Sequence, residues 1–401
     1  MSTKFDAFIK YNLGLLSFGV IMSFFSGFGQ TFLLSLYVPS IEQLLGITNT
    51  EFGSIYAIAT LGSAFTLPYL GGFFDKIPTK KYSLIVVTGL VLALLLLSFS
   101  YHIITVVIAF YGLRLFGQGL MSHTSIASMA RYFDQHRGKA IGVANLGHPA
   151  GEAVMPIALA MVISYIGWRG ALQVSAILCI LILIPLVLFL LHHSAIRIRA
   201  HRMHAHSTQT YYANVKTLDV FKQRKFWIIS PVIFAIGFIN TALFFFQLKL
   251  GQARGWSPEW VAASIAAFAI AGAAGMLLMG SVVDKYTAKK MFPFHMIFYL
   301  MGLLALIFFE HRIVYPVALV FFGLGHGTGN TIKDAMLAEI YGADIIGKIR
   351  SIFITVMVLS TALGPVIFGV LLDLNLSYSA IFTYVLIGTL FITFNGFRRL
   401  E

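Results

Sequence analysis

The chain has 401 residues, of which 58% are hydrophobic and only 11% charged, and its mean hydropathy is +0.86. Soluble domains carry about a quarter charged residues, so the composition excludes a soluble globular protein and places the chain in a bilayer. The net charge of +13 does not indicate nucleic acid as a partner, because the bases flank apolar runs instead of interleaving with exposed aromatics, the pattern of a positive-inside membrane topology.

The first 13 residues are mildly basic, and the apolar run after them, about 14–38, is too long for a signal-peptide core. It is read as a retained first span. Further runs long enough to cross a bilayer, which takes about 20 residues, follow at about 50–73, 82–100, 102–129, 140–164 and 170–191. Six more lie at about 226–250, 258–281, 291–309, 313–338, 351–373 and 376–396. Hydrocarbon offers no partner to an unpaired backbone amide, so all are expected to be helical. The expected fold is an all-α membrane protein of 12 transmembrane helices in two six-helix bundles, 1–191 and 226–401, joined by a cytoplasmic linker loop, 192–225. The linker histidines, His192, His193, His201, His204 and His206, have no metal-ligand spacing, and the lone Cys179 allows no internal disulfide. No metal or cofactor is expected.

With a cytoplasmic N-terminus, 22 of the 28 Lys and Arg fall on the cytoplasmic side and three, Arg169, Arg254 and Arg312, outside. Arg114, Lys249 and Lys333 remain within or at the ends of spans. The expected location is a bacterial inner membrane, with both termini cytoplasmic and the chain a monomer.

One charged knot occurs twice. Gly71-Gly-Phe-Phe-Asp75-Lys76-Ile-Pro-Thr-Lys80-Lys81 sits between spans two and three, and Gly280-Ser-Val-Val-Asp284-Lys285-Tyr-Thr-Ala-Lys289-Lys290 sits between spans eight and nine. The repeat indicates a duplicated six-helix unit, and its lysines suit an anionic membrane face. This loop resembles the signature loop of the major facilitator superfamily, with Pro78 and Thr287 where that family has glycine. Arg114-Leu-Phe-Gly-Gln118-Gly119 is similar to the family's R-x-x-Q-G-x-G element, except that the Gln-Gly pair comes one residue late. Gly147-His148-Pro149-Ala-Gly151 resembles its antiporter-associated Gly-Pro motif, with Gly364-Pro365 as the second half's counterpart. The resemblance implies a secondary transporter working by alternating access, and it implies that the two loops act as gates on the cytoplasmic side.

Charges at membrane depth cost ~2.5 to 3.5 kcal/mol each and mark functional candidates. Arg114 leads a polar stripe with Gln118, Ser122 and Ser125 at helical spacing, and Asn145, His148 and Glu152 form another on span five. Glu152 and His148 are the proton-coupling candidates; a structural Arg114–Glu152 ion pair is the alternative. Span ten carries His326, Asn330, Lys333 and Asp334 on a glycine-rich run. Gln30, Tyr56, Asn240 and Gln247 complete the expected substrate-binding set, and Lys249 is assigned to the interface.

Two cations favour a small organic anion, a carboxylate as in the family's monocarboxylate and oxalate-type members, moved with protons or by exchange. The competing reading is proton-coupled export of drugs, siderophores or other amphipathic metabolites, and a non-transporting sensor ranks third. No phosphate-cradling loop occurs, so neither ATP hydrolysis nor any other enzymatic reaction is expected.

Overall fold

The computed structural model describes residues 2–133, 136–194, 220–292, 294–341 and 346–399. Every regular element among them is helical. Ten segments are long and apolar enough to cross a bilayer. The gap to the expected twelve arises at two places. The fifth and sixth expected spans lie in one 55-residue segment, Gly138–His192, which turns at Gly167, where φ is 74°. The tenth falls on Val314–Tyr341, a 28-residue helix whose second half carries His326, Asn330 and Lys333 and is too polar to be among the ten.

Two compact units form. One comprises Met1–Ser40 and Ile58–Gln209, the other Ile41–Ala57 and Thr210–Glu401. Residues 41–57, which the sequence assigns to the first bundle, thus pack with the second unit. The linker bases Arg197, Arg199, Arg202 and Lys216 and the histidines from His201 to His206 lie outside the described residues.

Within each unit, glycines let helices approach to backbone distance. In the second unit Val314–Tyr341 lies against Pro258–Tyr286, and a Cβ on Gly327 would stand 1.9 Å from the Gly272 carbonyl oxygen. The glycine run of span ten is therefore a packing face, which holds the polar residues of that helix close to its neighbours.

The repeated loops differ in detail. Pro78, extended at φ −57° and ψ 134°, precedes the helix Thr79–Ser98. Thr287, between Pro258–Tyr286 and the short helix Ala288–Met291, takes φ 68°. A β-branched residue at positive φ is strained by about 1 to 3 kcal/mol, and glycine is not. Thr287→Gly is accordingly expected to raise the thermal midpoint of the purified protein by a few degrees; an unchanged or lowered midpoint contradicts the strain.

Candidate functional site

In the first unit, Arg114 begins a π-helical stretch, Leu113–Met121, between Ile103–Gly112 and Ser122–Tyr132. A π-helix bonds i to i+5 and so absorbs an extra residue. This winding accommodates the one-residue delay of Gln118 and Gly119 noted in the sequence, and it breaks the simple helical stripe. Arg114 is 3% exposed, and its Nη1 donates to the Gly29 carbonyl at 3.3 Å. The backbones meet there: a Cβ on Gly29 would lie 2.2 Å from the Leu113 oxygen. Gln118 and Gln30 are half-buried beside this crossing. Ser125 is turned to a backbone partner, donating to the Gly19 oxygen at 2.6 Å.

The expected stripe on span five is interrupted, because one helix ends at Asn145 and the next, Gly147–Leu178, begins two residues later. Asn145 is exposed and His148 half-buried, its ring 6.1 Å from that of Phe32. Glu152 is 7% exposed and forms no ion pair with Arg114. The structural pair weighed from sequence is therefore not formed, and Glu152 is a buried carboxyl.

At the first charged loop, Asp75 pairs with Arg131 from the helix Ser122–Tyr132, and the Arg131 guanidinium lies 4.1 Å from the centre of the Phe74 ring. Gly71 is buried against His123, with room for a Cβ only at 3.5 Å from its Nε2. Lys76, Lys80 and Lys81 are exposed, with Lys76 over the Phe73 ring at 5.4 Å. In the second copy the side chain of Asp284 lies outside the described residues. There Glu339 accepts the Ala288 N–H at 2.9 Å and the Lys289 N–H at 3.2 Å, Lys285 and Lys290 are exposed, and Gly280 has open space around it. Arg131 and Glu339, the partners that hold the two loops, were not singled out in the sequence.

In the second unit, residues from three helices make a continuous polar chain. Tyr299 on His295–Phe308 has its hydroxyl 2.9 Å from Asn240 Nδ2 on Arg224–Phe245. That nitrogen is 3.2 Å from His326 Nδ1. His326 Nε2 is 3.0 Å from Asn330 Nδ2, and Asn330 Oδ1 accepts from Lys333 Nζ at 3.1 Å. Asn240, His326, Asn330 and Lys333, four of the expected substrate-binding residues, are thereby brought together. Lys333 also lines a cavity of about 320 Å³ with Arg350, Ile233, Leu337, Phe353 and Met357. Tyr299 and Arg350 were missed by the sequence reading, since an aromatic in an apolar helix and a loop-flanking base carry no local signal.

Gln247 and Tyr56 lie apart from this chain. Gln247, fully buried, accepts from the Tyr315 hydroxyl at 3.0 Å, and Tyr56, also fully buried, packs edge-on to Phe245 at 4.9 Å. Lys249 pairs with the buried Glu42 and also donates to Asn49, and so ties the segment 41–57 into the second unit. Asp373 does the same, accepting the Thr50 backbone N–H at 2.8 Å and its hydroxyl at 2.6 Å, together with the Asn49 amide groups. It acts as an N-cap supplied from a distant helix. A cap is worth about 1 kcal/mol, so Asp373→Ala is expected to speed hydrogen exchange at the Asn49 and Thr50 amides about fivefold. Unaltered exchange there sinks this assignment.

Bundled apolar helices, buried charges, a polar chain beside a cavity and paired loop motifs define a multi-pass membrane transporter. The family model for the Major Facilitator Superfamily matches residues 19–315 and 248–399, and the chain belongs to that superfamily. It is a transporter and not an enzyme. It is 23% identical over 356 residues to Multidrug resistance protein 2 of Bacillus subtilis (strain 168), with 86% of each chain covered. To the Glycerol-3-phosphate transporter of the same organism it is 22% identical over 322 residues, covering 74% of this chain and 70% of the other. A match to the Aspyridones efflux protein apdF of Emericella nidulans, 26% identical over 265 residues, covers 64% of this chain but spans only 50% of that protein. Among solved structures, the nucleoside transporter NupG has the same fold, with a TM-score of 0.75 at 13% identity over 96% of this chain and 98% of that one. So does a bacterial homologue of the human lysosomal transporter Spinster, with a TM-score of 0.70 at 14% identity, covering 96% and 95% of the two chains.

Proposed function

We propose that the chain carries a small organic anion across the bacterial inner membrane by alternating access, driven by protons or by exchange. The observation that carries this reading is the cavity in the second unit, where Lys333 and Arg350 share walls that are otherwise apolar. Low surrounding polarity strengthens the attraction of an anion to such cations, and an arginine fork matches a carboxylate or phosphate. A volume near 320 Å³ lies at the small end of ligand sites, which suits an acid of few atoms. The similarity to the Glycerol-3-phosphate transporter of Bacillus subtilis supports an anionic cargo.

Both charged loops are assigned to the cytoplasmic face, where 22 of the 28 bases fall. There Asp75–Arg131 and the Glu339 contacts are proposed to be gate contacts that hold in one conformation and open in the other. Glu152 is proposed as a proton carrier, since it is a buried carboxyl that forms no ion pair among the described residues.

Efflux of an amphipathic metabolite is the second reading. It is favoured by the similarity to the Aspyridones efflux protein apdF and to Multidrug resistance protein 2 and by the apolar residues of the cavity wall. A thermal-shift screen of the purified protein separates the two. Stabilisation by lactate, benzoate or oxalate supports the anion, whereas stabilisation by amphipathic cations alone overturns it.

A further inference from the structure

The two ring nitrogens of His326 face two amides, Asn240 at Nδ1 and Asn330 at Nε2. An amide offers its oxygen or its NH₂ to a given neighbour, and hydrogen-bond accounting decides which. For Asn330 the decision is made by Lys333. An ammonium has only donors, so its contact with Asn330 Oδ1 at 3.1 Å turns the Asn330 NH₂ toward His326 Nε2. That nitrogen must then be an acceptor, and the ring neutral. A protonated His326, which has donors at both nitrogens, would set N–H against NH₂. The Lys333–Asn330 contact and a proton on Nε2 therefore exclude each other.

We propose that anion binding and proton binding are linked through this chain: an anion that draws Lys333 away from Asn330 lets His326 take up a proton. Once Lys333 leaves, the Asn330 amide turns and presents Oδ1 to an Nε2–H. On the other side a neutral ring whose Nε2 accepts already carries its hydrogen on Nδ1, so the Asn240 amide presents Oδ1, which otherwise has no hydrogen-bond partner, to that N–H in both states. In that orientation the same oxygen also accepts from the Tyr299 hydroxyl. The one covalent change is an Nε2–H bond, formed with a proton from hydronium or a buffer acid on the aqueous side whose O–H bond breaks; every other change is an exchange of hydrogen bonds.

Among the described residues, Lys333 is on the same helix as the ring, Tyr299 and Asn240 join the chain from His295–Phe308 and Arg224–Phe245, and His295 lies against Gly325 and Gly329 of the ring's own helix. Arg350 lines the cavity with Lys333 from Ile346–Asp373, and Pro258–Tyr286 contributes the uncharged Phe268 ring at 5.5 Å. The side chain of Asp334, next to Lys333, lies outside the described residues. His326 and Asn330 are thus positioning and coupling residues for the anion reading, on which this inference rests.

The test is proton uptake on ligand addition to the full-length protein in detergent, in weakly buffered solution near neutral pH with an indicator dye and with benzoate, lactate and oxalate as probes. The wild type is expected to take up about one proton per anion bound. Counted per anion bound at saturating probe, His326→Gln is expected to take up none, and Asn330→Ala, which keeps a titratable ring but cuts the amide link, should fall to less than half. Uptake unchanged in folded His326→Gln overturns the linkage, as does unchanged uptake in Asn330→Ala should the first variant not fold. Anion binding to the wild type without proton uptake overturns the linkage alone, while absence of binding by any probe overturns the anion reading and the linkage with it.

Discussion

Lys333→Met is expected to weaken anion binding about 10- to 150-fold, the factor that corresponds to losing a charge-assisted hydrogen bond of about 1.5 to 3 kcal/mol. The substitution keeps much of the length and apolar stem of lysine, and removes only the ammonium that reaches both Asn330 and the cavity. A loss of function through misfolding is readily distinguished. Removing a cation from membrane depth relieves a cost of ~2.5 to 3.5 kcal/mol on insertion scales, so the thermal midpoint of the variant should hold or rise while binding falls. Isothermal titration with benzoate, lactate and oxalate, beside thermal unfolding of the same samples, measures both. Binding within a factor of two of the wild type would remove Lys333 from the site.

Glu152→Gln is expected to lower proton-driven accumulation about tenfold and to leave exchange of unlabelled for labelled anion intact. Each coupled proton contributes about 1.4 kcal/mol for each unit of pH gradient, which is a tenfold accumulation ratio. Gln has the shape of the protonated acid and cannot release a proton, so a step that needs a neutral group at 152 proceeds without the one proton that Glu152 would carry, and that proton's share of the drive is lost. The surroundings make this substitution informative, because the carboxyl is 7% exposed and forms no ion pair with Arg114 that the change would break. Proton uptake on anion binding, assigned to His326, should be unaffected by Glu152→Gln. Undiminished accumulation in the variant would remove Glu152 from the transport cycle.

The parts of this molecule that were legible in its sequence are those encoded locally. Apolar runs gave the helices, because a bilayer forces each run to satisfy its own backbone. The doubled loop marked equivalent places in the chain, and the spacing His326, Asn330, Lys333 places three polar groups along one helix, where the structure links them in order. What the spacing could not reveal is what joins them to the rest. Asn240 and Tyr299 come from two other helices, and Arg131 meets Asp75 across 56 positions.

Other features escaped the sequence for physical reasons that are now visible. Helical spacing from Arg114 through Ser125 assumed an α-helix, but the stretch Leu113–Met121 winds as a π-helix, and Arg114 donates to a backbone carbonyl. The pairing of Lys249 with Glu42 had no local signal because the two lie 207 positions apart, Glu42 being in a segment that packs with the second unit. Among the described residues, Glu42 and Glu152 are both buried, and an ion pair is formed by Glu42 alone of the two.

The most direct test of the central claim is uptake of radiolabelled benzoate, lactate and oxalate into proteoliposomes holding the purified wild-type protein, with and without an imposed pH gradient. The account predicts saturable uptake of at least one of these acids, accelerated by unlabelled acid inside and raised by an inward proton gradient. Liposomes that exchange none of the three while moving an amphipathic cation against a proton gradient would contradict it.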